Sequence, residues 1–302
     1  MIRIHPRVEK ELARGFSIVA LESSVIAQGL PKPHNLELAS AMEMEVAQTG
    51  AMPATIAIIQ GEVVIGCTEA EREILVSSSA VEKAGARDIA YAVARGISAG
   101  TTVSATLKIA AQAGIRVFAT GGIGGVHPRF PNLPDDVSND LFALAQNPVC
   151  VISSGAKSLL DLPATMEFLE TLGVPVLGWQ TSYFPSFFMG STNLKIPQVD
   201  TIDRISAFAS AHWSLSNSGF LVCQEIAPEF ALGPKEAEIL AGLVNEFHQR
   251  RDIPGREVTP RILQEFAQRT KGKSVQANIE LLRANARLAG KIALAIPSKS
   301  PG

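Results

Sequence analysis

Cysteine, aromatic rings and surplus charge are all scarce in this chain. Its 302 residues include three cysteines, two tryptophans and two tyrosines, and aromatics make up 6% of the total. Cys67, Cys150 and Cys223 are odd in number, widely spaced and form no CxxC pair. That excludes a disulfide framework or zinc ribbon and points to small buried thiols in a reducing compartment. The 27 Lys and Arg face 29 Asp and Glu, a formal charge of −2. With no basic excess to neutralise a phosphate backbone, no nucleic-acid partner is expected. No apolar run reaches membrane-spanning length and Met1–Pro6 has no signal-like apolar core, so no membrane association and a cytoplasmic location are expected. Neither the GxGxxG dinucleotide fingerprint nor the P-loop GxxxxGK[ST] occurs.

What the chain does have is 46% hydrophobic residues, arranged as short apolar runs alternating with helical patterns. That alternation predicts an α/β fold of one domain over residues 1–302, with no linker inside it. Strands are expected at 16–21, 54–59, 63–65, 116–119, 149–152, 174–177 and 219–223. Helices are expected at 35–49, 69–76, 103–113, 162–172, 202–211, 234–251, 259–270 and 274–294. Asp161 and Asp200 are placed to cap orphan amides, Ser274 to cap the last helix, and Gly114 and Gly173 to stop helices. Two irregular stretches stand out. His127–Asp140 is a long proline-rich connection of the kind used for lids and binding loops. Gln180–Pro197 carries Tyr183, Phe184, Phe187 and Phe188, which could cover a ligand or a neighbouring subunit.

Four constellations could carry chemistry. Ala20–Ser24 ends an apolar run in Glu22 and two hydroxyls, where open α/β sheets gather ligands; Glu22 is a proton donor there or an ordinary cap. Ile115–His127 enters Thr120 and a cluster of four glycines, either amides open to an anion or a sharp structural turn. His127 behind it is a ligand-facing imidazole or a hydrogen-bonding loop residue. Lys157 follows a near-continuous apolar run and a Ser-Ser-Gly-Ala turn. A lysine kept there in a poorly hydrated pocket can attack an aldehyde carbon, whereas a solvated lysine at a helix start sits badly with the helix dipole. Asp135, Asp136, Ser138, Asn139 and Asp140 form an oxygen-rich run that suits a hard, hydrated cation or a plain acidic turn.

In order along nearly the whole chain, ALESSVIAQGLPKPHN, GAMPATIAII, SAGTTVSAT, IRVFATGGIGGVHP, SSGAKSLLDL and GKSVQANIELLRANARLAGKIA closely resemble the pseudouridine-5′-phosphate glycosidase (indigoidine synthase A-like) family. The resemblance implies a three-layer α/β/α fold with a mixed, largely parallel sheet. It implies a homotrimer with one divalent ion, manganese, per subunit. The implied reaction is reversible cleavage of the C–C glycosidic bond of pseudouridine 5′-phosphate to uracil and ribose 5-phosphate. By position, Glu22 matches the family's proton donor and Lys157 its Schiff-base lysine. Lys83, Val103, Thr120, His127, Ser138, Asn139, Asp140 and Asn278 match substrate positions, and Asp136 the metal position.

The chain departs from the family pattern between Pro128 and Asp135, which run one residue longer. It also carries Asn139 in place of a small residue, Ala86 in place of an arginine before Arg87, and Ser182–Tyr183 in place of an acidic pair. These changes bear on the loop and the base contacts, while Glu22 and both lysines are retained. No C-terminal sugar-kinase domain is expected. A C–C bond offers no basic leaving atom, so two-carboxylate hydrolysis fits it poorly. Ring opening assisted by Glu22, with Lys157 bonded to C1′, supplies an electron sink instead. Two competitors stay open: a Schiff-base lyase acting on another phosphorylated sugar conjugate, and a sugar-phosphate-binding protein without activity.

Overall fold

The computed structural model describes residues 2–29, 34–77, 80–129, 135–249 and 255–296. The strands are β1 (Ile2–Ile4), β2 (Ile18–Glu22), β3 (Met52–Ile59), β4 (Glu62–Ile65), β5 (Glu82–Ala84), β6 (Ala99–Thr101), β7 (Val117–Ala119), β8 (Cys150–Ser153), β9 (Val176–Trp179), β10 (Tyr183–Pro185), β11 (Ser191–Lys195), β12 (Gln198–Val199) and β13 (Phe220–Cys223). The helices are α1 (Pro6–Ala13), α2 (His34–Ala47), α3 (Glu69–Ser77), α4 (Ile89–Ala94), α5 (Val103–Gln112), α6 (Asn139–Gln146), α7 (Leu162–Thr171), α8 (Ile202–Leu215), α9 (Pro234–Gln249), α10 (Gly255–Arg269) and α11 (Lys273–Ala295).

The main sheet runs β1-β4-β3-β2-β7-β8-β13-β9-β12 and is parallel except where β4 meets β3. Off that path, β6 pairs antiparallel with β3 and carries β5 alongside it in parallel. Apart from Glu22 at the end of β2, the central strands are buried, as strands covered on both faces must be. Helices α2, α8 and α11 pack together around β2, β3, β7 and β8, while α5 packs on β2, β3 and α6. The expected three-layer α/β/α arrangement with a largely parallel sheet is what forms.

Local chemistry explains several boundaries. The Asp161 carboxylate accepts from the Ala164 amide at 3.0 Å and opens α7, and Gly173 follows its end at a φ of +67°. Gly114, at +78°, follows α5 in the same way. Two expected caps are corrected. Thr201, not Asp200, accepts from the Arg204 amide at the start of α8. Ser274 lies inside α11, whose N-cap is Gly272 in the left-handed region at +82°. All seven expected strands are present with ends shifted by a residue or two. Three helices were not anticipated: α1, α4 and α6. The aromatic stretch is a β10–β11 hairpin with a 3₁₀ turn at Phe187–Met189. Phe184, Phe187 and Phe188 bury in the chain's own core, Phe188 stacking on Phe266 at 5.5 Å, and Tyr183 stays exposed.

Candidate active site

Parallel register brings the carboxyl ends of β2, β7 and β8 side by side. Leu21 pairs with Ala119 and Ala119 with Ile152, so Glu22, Thr120 and the turn after Ser153 emerge together. The Glu22 carboxylate accepts hydrogen bonds from the Thr120 and Ser24 hydroxyls. Ser23 faces the other way, accepting from the Thr101 amide at 2.9 Å and so tying β6 to the end of β2. Within the same cluster the chain passes through a π-helical turn, Val25–Gly29. Gln28 on that turn donates to the Val81 and Glu82 carbonyls, both at 3.2 Å, and holds β5 in place.

β5 carries Lys83, which is half-buried. Burial, and next the Lys157 ammonium, hold Lys83 below the usual lysine range, with Asp140 and Glu22 pulling the other way. One amine therefore senses Glu22, Asp140 and Lys157 together, which places the two lysines and two carboxylates in one site. Lys157 itself rides on paired loops: its amide donates to the Ile123 carbonyl at 3.1 Å, and the Ile123 amide to the Gly155 carbonyl at 3.0 Å. Gly155 adopts a φ of +71°, and a Cβ there would lie 1.9 Å from the Pro185 carbonyl oxygen. Only glycine fits the turn that aims Lys157.

The glycine cluster after Thr120 is a close-packed turn. The Gly124 amide donates to Asp140 Oδ2 at 2.9 Å and the Val126 amide to Thr165 Oγ1 at 3.0 Å. A Cβ on Gly124 would meet Ser138 Oγ at 2.2 Å, and one on Gly125 would meet Thr165 Oγ1 at 2.4 Å. The Gly124 and Val126 amides are therefore committed to protein acceptors, and close packing accounts for glycine at 124 and 125. Asp140 is no surface acid either. It is 6% exposed and also accepts from the Ser104 amide at 2.9 Å, pinning the start of α5 to the glycine turn. Ser138 caps α6, accepting from the Asp140 amide, and Asn139 is exposed beside it. Val103 is buried at the first turn of α5, behind Thr102.

Asp135 and Asp136 are exposed, and Asp136 Oδ2 lies 3.8 Å from His127 Nε2 of the mostly buried His127 side chain. Residues 130–134 of the expected loop lie outside the described residues. No group of three His, Cys, Asp or Glu that could cage a metal exists among the described residues. One carboxylate and one imidazole fit only an ion that keeps waters or takes further oxygens from a bound phosphate. Asn278, on α11, has a buried Oδ1 with no protein partner. Its identity was legible from the motif, whereas Asn285, Ser154 and Gln28 were missed. Asn285 left one signal, an amide set in the apolar stripe Leu281, Leu282, Leu288 and Ala289.

Residues 7–295 match the model of the family described as indigoidine synthase A like protein. A pseudouridine-5′-phosphate glycosidase of Myxococcus xanthus is 44% identical over 97% of this chain and 98% of its own. The enzyme of that name from Caldanaerobacter subterraneus is 42% identical over 97% and 96%. Among solved structures, an indigoidine synthase A-like protein of Thermotoga maritima superposes with a TM-score of 0.89 at 32% identity, covering 98% of this chain and 96% of that one. The prealnumycin C-glycosynthase AlnA, solved with ribulose 5-phosphate, gives 0.89 at 34% identity, covering 98% and 97%.

Proposed function

Since the chain belongs to the indigoidine synthase A-like family, we propose that it cleaves and forms the C–C glycosidic bond of pseudouridine 5′-phosphate, exchanging it with uracil and ribose 5-phosphate. The observation that carries this is that Glu22 and the Lys157 turn emerge at the carboxyl ends of the neighbouring strands β2, β7 and β8, with Lys83 on β5 close enough to feel the charges of both. A carboxyl group and two amines, one with its charged form disfavoured, suit chemistry on a masked sugar aldehyde.

In the cleavage direction Glu22, steadied by Thr120 and Ser24, gives its proton to the ribose ring oxygen. Lys157 nitrogen bonds to C1′ as the C1′–O4′ bond breaks, so that the ring opens and the ring oxygen becomes a hydroxyl, and the nitrogen gives up its proton to the Glu22 carboxylate. The C1′–C5 electron pair then leaves with uracil, whose C5 takes up a proton, while the nitrogen lone pair closes a C=N bond to the opened sugar. Water hydrolyses that imine, releasing ribose 5-phosphate and restoring the amine. Lys83 orients the sugar and relays protons. The first turn of α5 at Val103, with Ser138 and Asn139 nearby, is suited to the phosphate, because helix amino ends attract anions. Asp140 holds that corner together by its two amide bonds. Thr120 and His127 line the site, and the unpartnered Asn278 Oδ1 is an acceptor for a uracil N–H.

The family's manganese ion would be held by Asp136, with His127 beside it, and would supply positive charge to the phosphate end. The homotrimer is likewise carried over from the resemblance, and light scattering of the purified protein tests it; the cytoplasmic setting rests on the sequence's lack of a signal-like apolar core. Among the described residues no helix is long and apolar enough to cross a membrane.

The test is incubation with pseudouridine 5′-phosphate and manganese, following uracil by mass spectrometry, then borohydride reduction and peptide mapping. Uracil release with a ribose phosphate adduct on Lys157 is the expected result. An adduct on Lys83 would reverse the roles of the two lysines. No turnover, with ribose 5-phosphate still bound, would favour a binding protein.

A further inference from the structure

Asn285 has none of its surface exposed, yet it lies on the face of α11 that packs against the sheet. Its Nδ2 donates to the Thr120 carbonyl at 2.9 Å, to Ser154 Oγ at 3.1 Å and more weakly to the Gly121 carbonyl at 3.4 Å. Ser154 Oγ in turn stands 3.4 Å from Asn285 Oδ1. One amide thus bridges the carboxyl ends of β7 and β8. The same two ends are already cross-linked by the Thr120 amide to the Ile152 carbonyl (3.0 Å) and the Ser154 amide to the Gly121 carbonyl (2.8 Å). Beyond those bonds the strands diverge into the glycine turn and the Lys157 turn. Asn285 sits at the fork.

What hangs on each arm makes the position consequential. Thr120 donates through its hydroxyl to Glu22, and Ser154 begins the turn that ends in Lys157. Asn278 lies seven residues earlier, nearly two full turns, so it projects from the same face of α11 about 10 Å further along. A polar group on an apolar helix stripe is kept for the bonds it makes, and here every bond goes to the two strand ends.

We propose that Asn285 is a positioning residue that sets the separation of the β7 and β8 ends, and through Thr120 and Ser154 fixes Glu22 relative to Lys157. Its catalytic consequence rests on the reaction proposed above; its effect on the two loops does not. Asn285→Asp keeps the shape and removes both N–H donors. By hydrogen–deuterium exchange, the amides of residues 120–123 and 154–157 are expected to exchange at least roughly tenfold faster, with the other described strands unchanged. kcat for uracil release should fall roughly 10- to 100-fold with KM nearly constant, since a displacement of about 1 Å is enough. The loss should ease as pH falls, because a protonated carboxyl regains a donor.

A folded variant whose two segments exchange at the wild-type rate overturns the proposal, whatever the kinetics. Wild-type kcat and pH profile in a folded variant overturn its catalytic half. Should the wild-type protein not cleave pseudouridine 5′-phosphate, the reaction assignment falls while the exchange data still decide the role of Asn285. If Asn285→Asp does not fold, Ser154→Ala removes one contact only. It is expected to speed exchange in the same two segments, and its failure to do so is equally fatal.

Discussion

Lys83 is held below the ordinary lysine range first by burial and next by the positive charge of Lys157. The two amines are therefore one electrostatic unit. Replacing Lys157 with methionine removes the neighbouring charge and should move Lys83 back toward its ordinary value. Titration of isotopically labelled lysines by NMR would show it, and an unmoved Lys83 would separate the pair.

The same shift has a stability consequence with a definite sign. Unfolded Lys83 keeps its proton up to about pH 10.4, whereas the folded protein releases it earlier. Between those two values unfolding takes up a proton, so stability rises with pH across that window; below it the folded state carries the whole cost of the ammonium. Lys83→Met should raise Tm at pH 7 by a few degrees, with the gain shrinking as pH climbs toward about 10.4. Calorimetry across pH 7–10 checks this, and a pH-independent difference would contradict it.

Glu22→Gln keeps the size and the hydroxyl partners but cannot deliver a proton. Turnover should drop about 10²- to 10⁴-fold with the fold intact, read as initial rates of uracil release beside circular dichroism. A residual rate within threefold of wild type would remove Glu22 from the proton-donor role.

Glu45 clamps α2 to α11 through two arginines. It is 2% exposed and accepts from Arg287 Nε at 2.7 Å and Arg283 Nη2 at 2.8 Å, joining α2 to α11. The Arg287 hydrogen bonds depress its pKa against opposing burial, with Arg283 adding to the effect. A depressed carboxyl contributes stability above its unfolded value near 4.3 and loses it as pH falls through the folded value. Glu45→Gln should cost about 1–3 kcal/mol at pH 7, less than a fully buried pair because Arg287 is half-exposed. The gap should close in acid; Tm curves between pH 2.5 and 7 that stay parallel would refute it.

Gly155→Ala forces a Cβ into the Pro185 carbonyl at a φ of +71°. Displacement of the Lys157 turn should lower Tm by more than about 5 °C and weaken borohydride trapping together. Normal trapping in this variant would show that the turn tolerates the shift.

Seven strands were legible because they are apolar runs with no competing period, and α7 because Asp161 and Gly173 punctuate it. β1, β5, β6 and β12 were not, since each is two or three residues long, and β5 and β6 are tied in by Ser23, Thr101 and Gln28 rather than by local propensity. At Gly124 and Gly125 the sequence left both readings open, because a glycine needed for close packing reads the same as one needed for an open amide. Asp140 looked like surface acid because its partners are backbone amides of Ser104 and Gly124, remote in sequence and silent in composition. Motif order singled out Glu22 and both lysines as candidates; nothing in it announced Asn285, whose bonds exist only once α11 lies on the sheet.

That β5 hangs from β6, outside the main strand path, divides the machinery unequally. Glu22 and Lys157 belong to the load-carrying frame, where any shift disturbs the core, whereas Lys83 rides on an outrigger attached through β3 and the π-helical turn. The attachment is nonetheless no free hinge, because Ala84, Ala92 and Ala99 are buried in the core shared with β2 and β8 and the Thr101 hydroxyl donates to the Ile56 carbonyl. A displacement of 82–101 would therefore swing Lys83 against Glu22 and Lys157 and be felt by the core at the same time.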